Sequence, residues 1–270
     1  MSSSSRGSRC RRPFFPACAL SAALALALLP ALRAEAQKAR ADPSPPPSPA
    51  VTQELLDDMD SRVAEGDADA MFGLAVLCFF GEGVAQDSEK ALALLEKAAG
   101  KGHLMSLYFL GELYQTGTGV EKDAKKAVKY FTRAADKGDE AADLALGGIY
   151  YYGAEDVKAD PKKAFRHFSR AAEKGQYQAQ LMLGSMYETG NGAPKDPAKS
   201  WEFFLAASEN PEDRGEAALA VGDIYVSGRN PAVPQDLAKG RDSYRKAASF
   251  NLPEAAERLA LLDRAKADTD

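Results

Sequence analysis

The side chains that usually carry site chemistry are scarce in this chain. It has three cysteines, two histidines and one tryptophan in 270 residues. Cys10 and Cys18 fall in the first segment, so Cys78 stands alone beyond it. A single thiol cannot close an internal disulfide, even in an oxidising compartment. His103 and His167 lack the close spacing of a metal-ligand pair. No metal, no cofactor and no catalytic residue is expected. Strand-type alternation is missing from Thr52 onward, which argues against a sheet-based fold. Basic charge is also short. Residues 1–36 hold five arginines and one acid, leaving 29 basic and 38 acidic side chains in the rest. Such a balance suits neither nucleic acid nor an anionic membrane, because both attract basic surfaces.

No long apolar run is present. The most apolar stretch, Ala17 to Leu32, is broken by Ser21 and Pro30. It falls short of the roughly 20 residues that a membrane span needs. Arg6, Arg9, Arg11 and Arg12 precede it, and Ala34-Glu35-Ala36 follows with small residues at the two positions a signal peptidase reads. Residues 1–36 therefore read as a cleaved secretory signal, with the mature chain beginning at Gln37. An uncleaved anchor and an organelle transit peptide are the alternatives. The expected location is periplasmic or extracellular, or the secretory lumen in a eukaryote, with no membrane insertion after cleavage. Residues 37–51 form a linker with five prolines in the eight residues Asp42–Pro49, which excludes helix.

An internal repeat fills the remainder. Gly81-Glu-Gly83-Val84 recurs as Gly117-Thr-Gly119-Val120 and as Gly190-Asn-Gly192-Ala193. Asp87, Asp123 and Asp196 follow, then Ala91, Ala127 and Ser200, then the pairs Ala98-Ala99, Ala134-Ala135 and Ala207-Ser208. Looser copies pass through Gly153 and Asp160, and through Gly228 and Asp236. Each repeat reads as two helices. Helix A carries a small residue, then Leu-Gly or Val-Gly, then tyrosine: Ser106, Leu110-Gly111, Tyr114 in one copy and Ala142, Leu146-Gly147, Tyr150 in the next. Offsets of four place these on one face. Glycine inside a helix costs up to about 1 kcal/mol against alanine. Its recurrence predicts that a neighbouring helix crosses there at close range. The glycine that ends helix A suits a left-handed terminus, and the aspartate that opens helix B suits an N-cap.

The string Leu110-Gly111, Tyr114, Gly117-Thr-Gly119-Val120, Asp123, Ala127, Phe131 and Ala134-Ala135 resembles the Sel-one-like repeat, a relative of the tetratricopeptide repeat. The resemblance covers five copies, at about 67–102, 103–138, 139–175, 176–210 and 211–251. Cys78 in the aromatic slot, Glu155 for the second glycine and an expanded fifth turn depart from it. It implies an all-α fold, a right-handed α/α superhelical solenoid, and a role as adaptor or scaffold. Residues 52–66 and 252–270 are expected to be capping helices with polar outer faces.

Most motif matches dissolve into repeat slots. Gly-x-Gly pairs follow a helix rather than a strand, so they read as turns and not as phosphate cradles. Cys78 occupies a buried slot. His103 is expected to begin a helix A, and His167 falls in the slot of Leu94, Tyr130 and Phe203. Ser243-Tyr-Arg-Lys246 matches the Ser-x-x-Lys of penicillin-recognising serine enzymes, but no Lys-Thr-Gly accompanies it. Off the packing face of helix A lie Phe79, Tyr108, Glu112, Gln115, Tyr151 and Glu188, with Val76 and Ser185. In related solenoids helix A lines the concave surface, so these are the expected partner-binding residues, with the rings as anchors. Extra packing between neighbouring helices is the competing role. The function read from the chain is an exported, non-enzymatic scaffold that binds a protein or peptide. A weak β-lactam-binding or β-lactamase-like enzyme and a structural or regulatory subunit of an envelope complex are the alternatives.

Overall fold

A computed structural model describes residues 51–210 and 215–267, within a unit that runs from Pro49 to Asp270. The expected signal segment and nearly all of the linker lie outside the described residues. Among those residues there are twelve helices and no strand, apart from a lone bridge between Ala154 and Val157. α1 (Gln53–Glu65) opens the series. Five pairs follow: α2 (Ala68–Phe80) with α3 (Ser88–Gly100), α4 (Leu104–Thr116) with α5 (Ala124–Ala135), and α6 (Glu140–Tyr152) with α7 (Pro161–Glu173). Then come α8 (Tyr177–Thr189) with α9 (Pro197–Glu209), and α10 (Glu216–Ser227) with α11 (Leu237–Ala248). α12 (Pro253–Ala267) closes the series. The extensive contacts all join helices consecutive in the chain, as in a solenoid.

The turn inside each pair is built from the residues the repeat conserves. Asp87, Asp123, Asp160, Asp196 and Asp236 cap α3, α5, α7, α9 and α11. Each carboxylate accepts from the backbone N–H three residues on, for example Lys126 at 2.9 Å and Lys163 at 3.1 Å. Each aspartate also donates its own N–H backwards, from Asp123 to the Tyr114 carbonyl at 2.9 Å and from Asp160 to Tyr150 at 2.7 Å. The aspartate thus sews the B helix to the end of the A helix. Gly117, Gly190 and Gly228 end their A helices in the left-handed conformation. Gly153 does not: its φ is 74° and its ψ 160°, and the chain turns instead through a tight bridge with Glu155 at φ 39°. The extra residue in this turn sets that change.

The helix-A glycine has a more specific cause than helix crossing. A methyl group at Gly111 would lie 2.6 Å from the Phe131 ring. Gly147 meets Phe168, Gly184 meets Phe204 and Gly222 meets Tyr244 in the same way. The A helix gives up a side chain so that the B helix of its own pair can lay an aromatic ring on its backbone. The first pair has Ala75 and Leu95 in these slots, both fully buried. Fully burying one such ring contributes about 1.5–3 kcal/mol.

Successive pairs are tied by polar side chains, four basic and one amide, that reach back along the solenoid. Arg133 donates to the Ala99 carbonyl at 2.6 Å and Arg170 to Ala135 at 2.7 Å. Lys174 reaches Gly138, Asn210 reaches Gly175 and Lys246 reaches Ser208. Each bond satisfies a carbonyl at or just beyond the end of the preceding B helix, where backbone acceptors lack partners within the helix.

Candidate interaction surface

The A helices place equivalent side chains in register. One row is Phe72, Tyr108, Leu144, Leu181 and Leu219; the next is Val76, Glu112, Gly148, Ser185 and Asp223; the third is Phe79, Gln115, Tyr151, Glu188 and Val226. Sequence alone put six members of these rows forward as partner-binding residues, with the three rings as anchors, and the structure separates them by exposure. Phe79 is only 8% exposed. Its ring packs edge-on against Phe80 and Phe109, and Gly119 of the next turn lies over it. It is a core residue, because the following repeat covers the end of α2. Tyr151 is half-buried, edge-on to the buried ring of Phe168 and to Tyr152. Gln115 is half-buried and Glu188 is exposed.

Tyr108 and Glu112 are brought together, one turn apart on α4. The Tyr108 hydroxyl donates to Glu112 Oε1 at 2.9 Å, and its ring tilts against Phe131. Burial pushes the Glu112 carboxyl above its ordinary value; the Tyr108 hydrogen bond opposes this and the Asp139 charge adds to it. Burial likewise, with the Glu112 charge behind it, holds the Tyr108 phenol well above its usual range. The same slot in the fifth repeat is occupied differently. Asp223 accepts from the Tyr244 hydroxyl at 2.7 Å and pairs with the Arg258 guanidinium of α12. Among the described residues Glu112 has the hydroxyl but no cation in an ion pair.

Two histidine clusters have the ingredients of catalytic constellations, and neither presents an exposed nucleophile. His103 caps α4. Its Nδ1 accepts from the Ser106 N–H at 3.3 Å and lies 2.8 Å from the Ser106 hydroxyl, while Nε2 lies 2.9 Å from Asp69 Oδ1. The accepted N–H assigns the ring proton to Nε2. Ser106 is completely buried, so no substrate reaches its hydroxyl. In the second cluster, Asp143 is 1% exposed, with His167 Nδ1 at 2.9 Å and Arg170 Nε at 3.2 Å. His167 also stacks on Tyr150, as Tyr130 stacks on Tyr114 and Phe203 on Tyr187. It fills the aromatic slot expected of it and adds a partner for a buried carboxylate. Asp143 gave no signal in the sequence, since its slot holds Leu107, Gln180 and Ala218 elsewhere.

Cys78 is buried, and burial raises its thiol, which disfavours the thiolate form that reacts. Ser243 donates to the Lys239 carbonyl at 2.9 Å and Lys246 to the Ser208 carbonyl, so the Ser-x-x-Lys pair is spent on backbone groups. Among the described residues no group of three His, Cys, Asp or Glu side chains is disposed to hold a metal, and no helix is long and apolar enough to cross a membrane.

A second surface runs along the turns that join A to B. Lys126 lies over the Tyr114 ring at 4.7 Å, Lys163 over Tyr150 at 5.1 Å, Lys199 over Tyr187 at 5.3 Å and Lys239 over Tyr225 at 5.5 Å. Each ammonium also sits 3.8–4.0 Å from its capping aspartate. Tyrosine, aspartate and lysine form one unit in each repeat from the second to the fifth. The lysine is visible in the sequence three residues after each capping aspartate, but only the turn reveals the ring beneath it.

Five segments match the Sel1 repeat, at residues 68–103, 104–139, 141–176, 178–211 and 215–249. Two solved structures are similar. One is a protective antigen of uropathogenic Escherichia coli displaying an SLR fold, with 29% identity and a TM-score of 0.71 over 77% of this chain. The match spans 44% of that antigen's length. The other is a Sel1 repeat protein from Oxalobacter formigenes, with 27% identity and a TM-score of 0.69, covering 76% of this chain and 82% of the other. No curated protein sequence matches the chain.

Proposed function

Because the chain belongs to the Sel1 repeat family, whose members are generally protein–protein interaction scaffolds without catalysis, we propose that it is an exported scaffold that holds a protein or peptide partner on the concave face lined by its A helices. The observation that carries this reading is the Tyr108–Glu112 pair. A carboxylate that is half-buried and short of compensating charge is costly unless something completes it. Asp223 supplies the template, since in its slot Arg258 completes the carboxylate from outside the repeat. The partner is then expected to bring an arginine or lysine to Glu112, with Gln115, Tyr151 and Glu188 as neighbours in the register. Phe79 drops out of the surface because it is buried. The arginine-rich start, apolar run and Ala-x-Ala site of residues 1–36 support export.

The test uses the purified mature chain as bait in extracts of the native host, followed by affinity measurement on the recovered partner. Glu112→Gln keeps the acceptor for Tyr108 and removes the charge. It is expected to weaken the partner by about tenfold or more, the size of one completed charge pair at an interface. Undiminished affinity would remove Glu112, and with it the A-helix face, from the proposal.

A further inference from the structure

The third A-to-B turn builds a feature the other turns do not share. It runs from Gly153 to Asp160, one residue longer than the first, second and fourth turns. Ala154 and Val157 exchange two backbone hydrogen bonds, at 2.9 and 2.6 Å, and raise Glu155 and Asp156 as a tip. Two ion pairs tie that tip to the preceding repeat: Lys122 with Glu155 at 3.1 Å and Lys125 with Asp156 at 3.3 Å. The raised turn walls off a groove of about 630 Å³ against α5 and the end of α6. Its apolar lining includes Val128, Tyr150, Val157 and Pro161. Four lysines and two aspartates share the rest of the lining.

The charge in this groove is unevenly committed. Lys125 is engaged by Asp156. Lys163 lies over the Tyr150 ring and beside Asp160. Asp160 is already the cap of α7. Lys158 and Lys162 are exposed, and among the described residues neither has an ion-pair partner. A local surplus of positive charge therefore sits in a chain whose formal net charge is −5. Beside it lies an apolar, partly aromatic wall.

We propose that this groove docks an acidic peptide segment of a partner protein, with carboxylates on Lys158 and Lys162 and one apolar side chain against Tyr150, Val157 and Pro161. Charge complementarity selects an acidic occupant, and the apolar wall selects a peptide over a bare polyanion. The surface is separate from the A-helix face, so it does not depend on the reading of Glu112.

The experiment is fluorescence anisotropy with the mature chain and a labelled short peptide of alternating Glu and Asp around one Leu. Saturable binding that weakens as salt rises is expected. Lys158→Glu with Lys162→Glu should lower affinity by about tenfold or more, and replacing the peptide's Leu by Ser should weaken it several-fold. Both lysines are exposed, and Lys158→Gln with Lys162→Gln provides a milder pair should the reversal disturb folding. The proposal fails if the wild-type chain shows no saturable binding, or if both lysine pairs bind the peptide as well as wild type. It also fails if single-stranded DNA of equal charge competes as effectively as unlabelled peptide, which would mark a general polyanion site.

Discussion

At the scale of the residue, the decisive partnership is between one glycine and one ring. Alanine at position 111 would gain about 1 kcal/mol of helix propensity. Its methyl group would lie 2.6 Å from Phe131, and forcing extra carbon into a filled core costs about 1–3 kcal/mol. Overpacking should win, so Gly111→Ala is expected to lower stability in urea titrations. Phe131→Leu added to it should recover much of the loss, because the first repeat already works with Ala75 and Leu95. If the double variant is no better than Gly111→Ala alone, the ring is not the reason for the glycine.

Glu112 makes a residue-scale prediction of opposite sign. Its carboxyl sits above the ordinary value of 4.5 in the folded chain. The folded state therefore holds that proton more tightly than the unfolded chain does. The stability this contributes is fully present below 4.5 and is lost as pH rises through the folded value. Glu112→Gln should melt higher than wild type at neutral pH, and the gap should close as the pH falls towards 4.5. A variant that melts lower at neutral pH would show that the carboxylate is already compensated within the chain.

At the scale of the element, the α6–α7 pair contains a buried charge that a hydrophobic solenoid does not require. Asp143 is held by His167 and Arg170, and Arg170 also reaches the Ala135 carbonyl. Removing one partner of a buried ion pair commonly costs about 3–5 kcal/mol, whereas replacing the buried charge with a fitting apolar group costs far less. Arg170→Ala leaves the buried carboxylate with His167 as its remaining partner and is expected to cost about 1.5–3 kcal/mol. Asp143→Leu, which installs the residue of the second repeat at this slot, is expected to cost less, since Arg170 is half exposed and can turn to water. Equilibrium unfolding of the two variants gives the order, and a larger loss for Asp143→Leu would contradict it.

At the scale of the molecule, each helix packs mainly on its neighbours in the chain, so stability is a sum of local terms and the ends are the weak points. α12 covers the fifth repeat: Ala255 is fully buried there, Arg258 pairs with Asp223, and Arg241 of α11 bonds Asp263 at 2.7 Å. Deleting residues 253–270 should expose that surface, and fraying should spread inward from α11. Hydrogen exchange would show it as protection lost first in α10 and α11, with α4 and α5 unchanged. Equal protection of the fifth repeat with and without α12 would mean that the end needs no cap.

Much of this protein was legible without coordinates. A slot pattern repeated five times fixed the helix pairs, their N-caps at aspartate and their turns at glycine, because those are local choices that each stretch of chain makes within a few residues. The scarcity of cysteine and histidine and the lack of a third serine-enzyme motif placed the tempting pairs in repeat slots, and Ser243 and Lys246 bond backbone carbonyls. Which side chains face outward was not legible. Phe79 looked like an anchor from its place on α2 and proved to be core, since the turn of the next repeat covers it. Asp143 and the lysines over tyrosine rings became visible only when the two helices of a pair were packed together. Periodicity tells which face of a helix is apolar, but burial in a solenoid depends on what the neighbouring repeat lays across that face. Only the tertiary structure fixes that.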